Sequence, residues 1–171
     1  GVSFHDSTTM TSEDVVYSYE RFLRLNDPYG PAWMVGELLI PNYYVYSAGT
    51  FLGDGSLDPA SGVPLNVIRQ HLWAKDVYTV QFNLTVAFPG WNYVICAGVG
   101  SVLSKDYVEP NGGMTDVGFN HMWNHMCGTG PCYLDEFIPD TRFVLARSEN
   151  YWKGPAALDQ VIIMQVPDPN T

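Results

Sequence analysis

The constraint that does most to set the fold is a single segment, Thr11 to Pro28, in which a helix start, an apolar stripe and a helix stop follow one another. Thr11 with Asp14 three residues on is a capping-box signal, in which side chains satisfy the backbone N–H groups that a helix start leaves unpaired. Val15, Val16, Tyr19, Phe22 and Leu23 then recur at helical spacing, while Glu13, Glu20, Arg21 and Arg24 fall elsewhere, so one stripe is expected to pack inward. Asn26-Asp27-Pro28 ends it. Residues 28–65 are crowded with Pro, Gly, Asn and Tyr and read as irregular surface structure with at most a short helix near Ala32 to Ile40.

From Asn66 the texture changes. Val67 to Trp73 and Val77 to Leu84 are strand-like, joined by Ala74-Lys75-Asp76, and in the second run Tyr78, Val80, Phe82 and Leu84 alternate with Thr79, Gln81 and Asn83. That predicts a hairpin with one buried face. Pro89 fits the first turn of a helix through Trp91 to Ala97, and Ser104 caps a short one through Val108. Strands are expected at Tyr133 to Ile138 and Arg142 to Arg147 around Pro139-Asp140, with a last apolar run at Val161 to Val166. Helices against an antiparallel sheet make an α+β arrangement.

Composition narrows the partners. Eight basic against 18 acidic residues give a net charge of −10, which repels phosphate backbones and anionic headgroups, so nucleic acid is excluded as a partner. Charged residues are 15% of the chain against roughly 25% in an average soluble protein, so the surface must be rich in uncharged polar groups, as suits a secreted protein. No run of about 18 uninterrupted apolar residues exists to span a bilayer. Position 1 is Gly and no export signal follows it, so a leader or N-terminal anchor is expected upstream.

Three cysteines are present. Cys127 and Cys132 bracket Gly-Thr-Gly-Pro, whose turn-forming residues could bring their Cα atoms into disulfide range, and that pairing is expected; the alternative is two buried thiols. Cys96, in an apolar stretch, is expected in the core. His121 and His125 are four apart, so that on a helix their imidazoles would share a face as metal ligands often do. Against a metal stand Met122, Trp123, Met126 and the absence of an acidic neighbour, which make them packing or surface residues instead. Asn83-Leu84-Thr85 is a glycosylation sequon at a strand end. No Gly-x-Ser-x-Gly, P-loop or His-Glu-x-x-His occurs, so catalysis and a cofactor are not expected.

Several landmarks, in this order, resemble the oligopeptide, dipeptide and nickel binding proteins that feed ABC importers, solute-binding family 5. Gly1-Val2-Ser3-Phe4-His5-Asp6 and Met10 to Arg21 look like that family's G-V-x-F-H-D-G turn and L-T-A-E-D-V-x-x-S helix. Asp76 to Leu84 with Phe88-Pro89, then Ser104-Lys105-Asp106-Tyr107-Val108, Gly128-Thr129-Gly130-Pro131 and Asn150 to Pro155 with Leu158-Asp159 match later landmarks. Pro167 to Thr171 resembles the family's return strand. Ser7 departs from the usual Gly, and Cys132 from the usual aromatic after the Gly-Thr-Gly-Pro turn.

The resemblance implies the accessory domain and part of lobe I of a periplasmic-binding-protein-like, type II (Venus-flytrap) fold, with residues 155–171 returning toward lobe I and the C-terminal lobe absent. It implies a monomeric, extracellular or periplasmic, membrane-anchored binding protein that captures a peptide and hands it to a membrane permease. Trp91, Tyr93, Gly128 and Thr129 are the ligand-contact candidates, beside the plainer reading of Gly-Thr-Gly-Pro as a rigid structural turn. Tyr151 and Trp152 are expected to bury their rings and lock the strand that follows. A nickel or other small-solute carrier of the same transport class is the alternative.

Overall fold

The computed structural model describes residues 1–166. The helix expected after Thr11 is α1, Ser12–Leu25. Asp14 Oδ2 accepts from the Thr11 N–H at 2.8 Å and from its hydroxyl at 3.0 Å. The stop is Asn26, which takes a left-handed conformation (φ 42°), the position where a short polar side chain is best tolerated. Its side chain donates to the carbonyls of Tyr46 and Ser47 and accepts from the Tyr43 hydroxyl, so the helix end also fixes the following loop.

Val16, Tyr19 and Leu23 enter the core with Val35, Leu39 and Ile40 from α2 (Ala32–Leu39) and its C-cap. Val63, Ile68 and Leu72 close it from the other side. The expected stripe packs inward, with Val15 and Phe22 flanking it, but the polar side is covered too, because Glu20, Arg21 and Arg24 are buried as well. Their partners lie far along the chain. Arg24 donates to the carbonyls of Ser61, Val63 and Asp58, and Arg69 grips Glu20 with two bonds of 2.6 and 3.1 Å. The Gly-rich segment wraps α1 closely enough to satisfy a guanidinium with backbone oxygens.

The first hairpin is shifted from its expected place. Val67 and Ile68 belong to a single helical turn, α3 (Leu65–Ile68), led in by Pro64. The strands are β1, Leu72–Asp76, and β2, Thr79–Phe82, paired antiparallel. Asp76 reverses the chain, its Oδ1 accepting from the Tyr78 N–H at 2.9 Å, an Asx turn that competes with strand extension. Val80 and Phe82 face the core as the alternation predicts, whereas Tyr78, in that turn, is exposed.

Three short helices follow: α4 (Trp91–Cys96), α5 (Lys105–Val108) and α6 (Asp116–Asn124). Cys96 ends α4 and is exposed, correcting the expectation that it lies in the core. A second sheet has the order β3-β4-β5, from Cys132–Ile138, Arg142–Arg147 and Gln160–Met164, all antiparallel. The sequence suggested one sheet under the helices. Instead α1 packs on the small hairpin, and among the described residues no helix packs broadly on the larger sheet. Tyr151 and Trp152 stack edge to face, but Trp152 is 52% exposed with Lys153 Nζ 4.5 Å from its ring centre. Trp152 thus sits on the surface and Tyr151 is half-buried, rather than both rings locking a strand from within. The expected return strand, 167–171, lies outside the described residues. No helix among them is long and apolar enough to cross a membrane.

Candidate functional site

Motifs that are far apart in sequence meet at one polar knot. Asp14, at the start of α1, also accepts from the Lys105 N–H at the start of α5 (3.0 Å), so one carboxylate holds two helix N-termini. One turn on, the Ser18 hydroxyl donates to the Asp14 carbonyl and accepts from the Leu103 N–H. Ser104, fully buried, caps α5 by accepting from the Tyr107 N–H and donates to Asp6 Oδ2 at 2.8 Å. The other oxygen of Asp6 accepts from the N–H and hydroxyl of Thr8. Burial pushes the Asp6 carboxyl upward, but the hydrogen bonds from Thr8, Ser104 and Cys127 outweigh it and hold the group below its ordinary value.

Asp6 fixes the turn that presents His5, and His5 fixes the Gly-Thr-Gly-Pro turn. The His5 N–H donates to the Gly128 carbonyl at 2.9 Å. Gly128 N–H donates back to His5 Nδ1 at 3.3 Å, and His5 Nε2 lies 3.0 Å from the Gly130 carbonyl. An N–H facing Nδ1 and a carbonyl facing Nε2 require the neutral tautomer with its proton on Nε2. The ring of Tyr133, at the start of β3, meets the imidazole edge to face. His5 stands in the first quoted motif and its partners in the fourth, 125 residues away at Gly130; no local signal in the sequence joins them.

The four candidate ligand contacts fall in two neighbourhoods. Trp91 packs its ring on Phe82 at 5.2 Å against the core, while Tyr93, two residues on, is 83% exposed. Gly128 uses its N–H and one acceptor position of its carbonyl on His5, which leaves it no donor for a ligand. The Thr129 hydroxyl makes no hydrogen bond among the described residues, and the residue is half-buried.

The expected disulfide is not formed. Cys96, Cys127 and Cys132 are free thiols. The Gly128 N–H and the Gly130 carbonyl, which lie between the two cysteines, are engaged by the His5 imidazole. Cys127 is buried beside Asp6, and burial pushes its thiol up to about 11, the state of an unreactive core cysteine. Thiol counting under denaturing, non-reducing conditions should therefore find three thiols. A count of one would restore the pairing.

His121 and His125 do not converge on a point. The helix ends at Asn124, and the two imidazoles lie face to face, centroids 4.1 Å apart and planes within 8°. His121 Nε2 is 3.1 Å from the Tyr107 hydroxyl, and His125 Nδ1 is 3.0 Å from the His121 carbonyl. Each thus has a nitrogen engaged within the protein. Among the described residues no group of three His, Cys, Asp or Glu side chains is placed to hold a metal ion.

This arrangement is that of a stretch of the periplasmic binding proteins. The oligopeptide-binding protein of Bacillus subtilis, solved with a nonapeptide, superposes with a TM-score of 0.68 at 22% identity, covering 99% of this chain and 27% of that one. The chain belongs to the bacterial extracellular solute-binding proteins, family 5 (Middle), whose profile matches residues 1–171. It is 27% identical to di/tripeptide-binding protein 2 of Pseudomonas aeruginosa, over 99% of this chain and 29% of the relative. It is 28% identical to heme-binding protein A of Haemophilus influenzae, over 100% of this chain and 28% of that relative. The chain thus spans under a third of the length of these relatives.

Proposed function

We propose that the protein is the substrate-binding component of an ABC importer, capturing peptides outside the membrane and delivering them to a membrane permease. The observation that carries this reading is the family match along residues 1–171, together with the Gly-Thr-Gly-Pro turn held on His5 so that the free Thr129 hydroxyl stands on a fixed backbone. Residues 1–171 then form the accessory domain, with 155–171 returning toward lobe I. Tyr93 and Thr129 are the residues offered to ligand, and Trp91 and Gly128 position them. The work is capture and closure, with no bond made or broken. The protein acts as a monomer, periplasmic or extracellular, held at the membrane by an N-terminal anchor.

The names of the relatives favour di- and tripeptides, and one favours heme. The stacked imidazoles, each tied to a neighbour in the protein, favour the peptide over the metal-carrier alternative. Native mass spectrometry of the whole protein purified from its host decides between them, because a closed clamp releases its ligand slowly. The expected spectrum carries adducts of di- to oligopeptide mass that disappear on denaturation. An adduct of heme or of a metal ion, with no peptide, would overturn the assignment.

A further inference from the structure

An open cavity of about 300 Å³ lies beside α1, between the loop that leads into α2, the turn at Gly98–Gly100 and α6. Its wall is largely apolar, with Phe22, Leu25, Val99, Leu103 and Phe119 contributing. Set in that wall is Arg21, only 8% exposed. Its Nε donates to the Gly113 carbonyl at 3.4 Å and its Nη2 to the Gly118 carbonyl at 3.3 Å, both long bonds. Nη1 has no acceptor among the described residues.

Among the described residues no carboxylate pairs with this cation. The ion pairs among the described residues belong to Arg69, Arg142 and Arg147. The titratable neighbour of Arg21 is the Tyr17 phenol; burial lowers the guanidinium from its ordinary value, and arginine side chains stay charged in proteins. The contrast with Arg24 is informative, since that second buried guanidinium has three carbonyl partners, one at 2.6 Å. Asp27, the acidic residue at the cavity, accepts from the Tyr29 N–H at 2.9 Å within its own turn. Nη1 is not among the fully buried unpaired polar atoms and so keeps contact with solvent, and an anion that replaced that solvent would meet a charged donor set in an apolar wall.

We propose that this cavity binds a small carboxylic acid with an apolar body, the carboxylate on the free guanidinium edge of Arg21 and the body against Phe22, Val99 and Phe119. The volume stands at the lower end of small-molecule pockets, roughly 300 Å³ and upward, and fits one ring or a short chain. Guanidinium supplies parallel N–H groups to a carboxylate, and the apolar wall strengthens that bond by excluding water. No residue of the His5-bound turn lines the cavity, so the proposal does not depend on the importer reading.

The test compares two probes of one shape, 3-phenylpropionate and 3-phenylpropanol, by thermal shift and titration calorimetry on the whole protein. The acid should raise the melting temperature saturably and bind at least tenfold more tightly than the alcohol. Arg21→Gln should bring the acid down to the alcohol's affinity, and Ser101→Trp, at the exposed lip, should block both. Should Arg21→Gln fail to fold, the acid-to-alcohol ratio in the natural protein and the lip variant decide alone. Equal binding of acid and alcohol, acid binding that survives Ser101→Trp, or no shift with either probe would overturn the proposal.

Discussion

Asp14→Ala should cost about 3 kcal/mol of stability, measured by urea denaturation, and should loosen the Gly-Thr-Gly-Pro turn more than a hundred residues away. Asp14 is 7% exposed, and its carboxylate accepts from the Thr11 N–H, the Thr11 hydroxyl and the Lys105 N–H. Hydrogen bonds to a charged acceptor contribute about 1.5–3 kcal/mol each, and removing the acceptor leaves two helix-terminal N–H groups without a partner. Overlap among the three bonds keeps the total below their sum. Glu13→Ala, one residue earlier and exposed, is the control and should stay within about 0.5 kcal/mol. The long-range effect passes through α5: Ser104 caps it and holds Asp6, Asp6 fixes the turn that presents His5, and His5 holds Gly128 and Gly130. Amide exchange at Gly128, whose N–H bonds to the imidazole, reads that chain of contacts directly. A loss under about 1 kcal/mol with unchanged exchange at Gly128 would show that the knot does not act as a unit.

This knot explains what the sequence could and could not disclose. Elements whose determinants are local were legible: the Thr11–Asp14 cap, the Ser104 cap, the alternation of Val80 and Phe82, and the two strands around Pro139-Asp140, where Asp140 takes φ 57°. Elements decided by distant partners were not. Nothing within α1 shows that Glu20 and Arg24 are buried, because Arg69 and the carbonyls of residues 58–63 do the burying. Periodicity weighs a helix by its own residues and is blind to a loop that wraps the polar side. The hairpin was displaced because Asp76 reads equally well as a strand end or a turn former until its side chain is seen on the Tyr78 N–H. The family motifs were legible as signatures, but their shared role was not, since it consists of contacts between motifs. Of the four candidate ligand residues, Trp91 and Gly128 are occupied within the protein, and the free groups are Tyr93 and Thr129.

Residues 1–171 tested alone should show no saturable peptide binding below the millimolar range, whereas the same residues within a chain of the relatives' length should bind the same peptide at micromolar concentration or tighter. The gap corresponds to at least ~4 kcal/mol. A ligand held from two sides of a cleft has water excluded from its polar contacts, which strengthens each of them, and a ligand held from one side keeps most of its hydration. What this span offers is a rigid turn with one free hydroxyl and an exposed phenol at Tyr93, far short of the enclosure that a peptide backbone and two charged termini require. The same span nevertheless has its own core around Tyr19, Leu23, Val35, Leu39 and Ile68 and its own polar knot, so it should unfold cooperatively and serve as a fair comparison. Isothermal titration of both polypeptides against one peptide pool decides the matter. Micromolar binding by residues 1–171 would move the whole ligand site into this span, and Thr129→Val and Tyr93→Ala would then be the variants expected to abolish it.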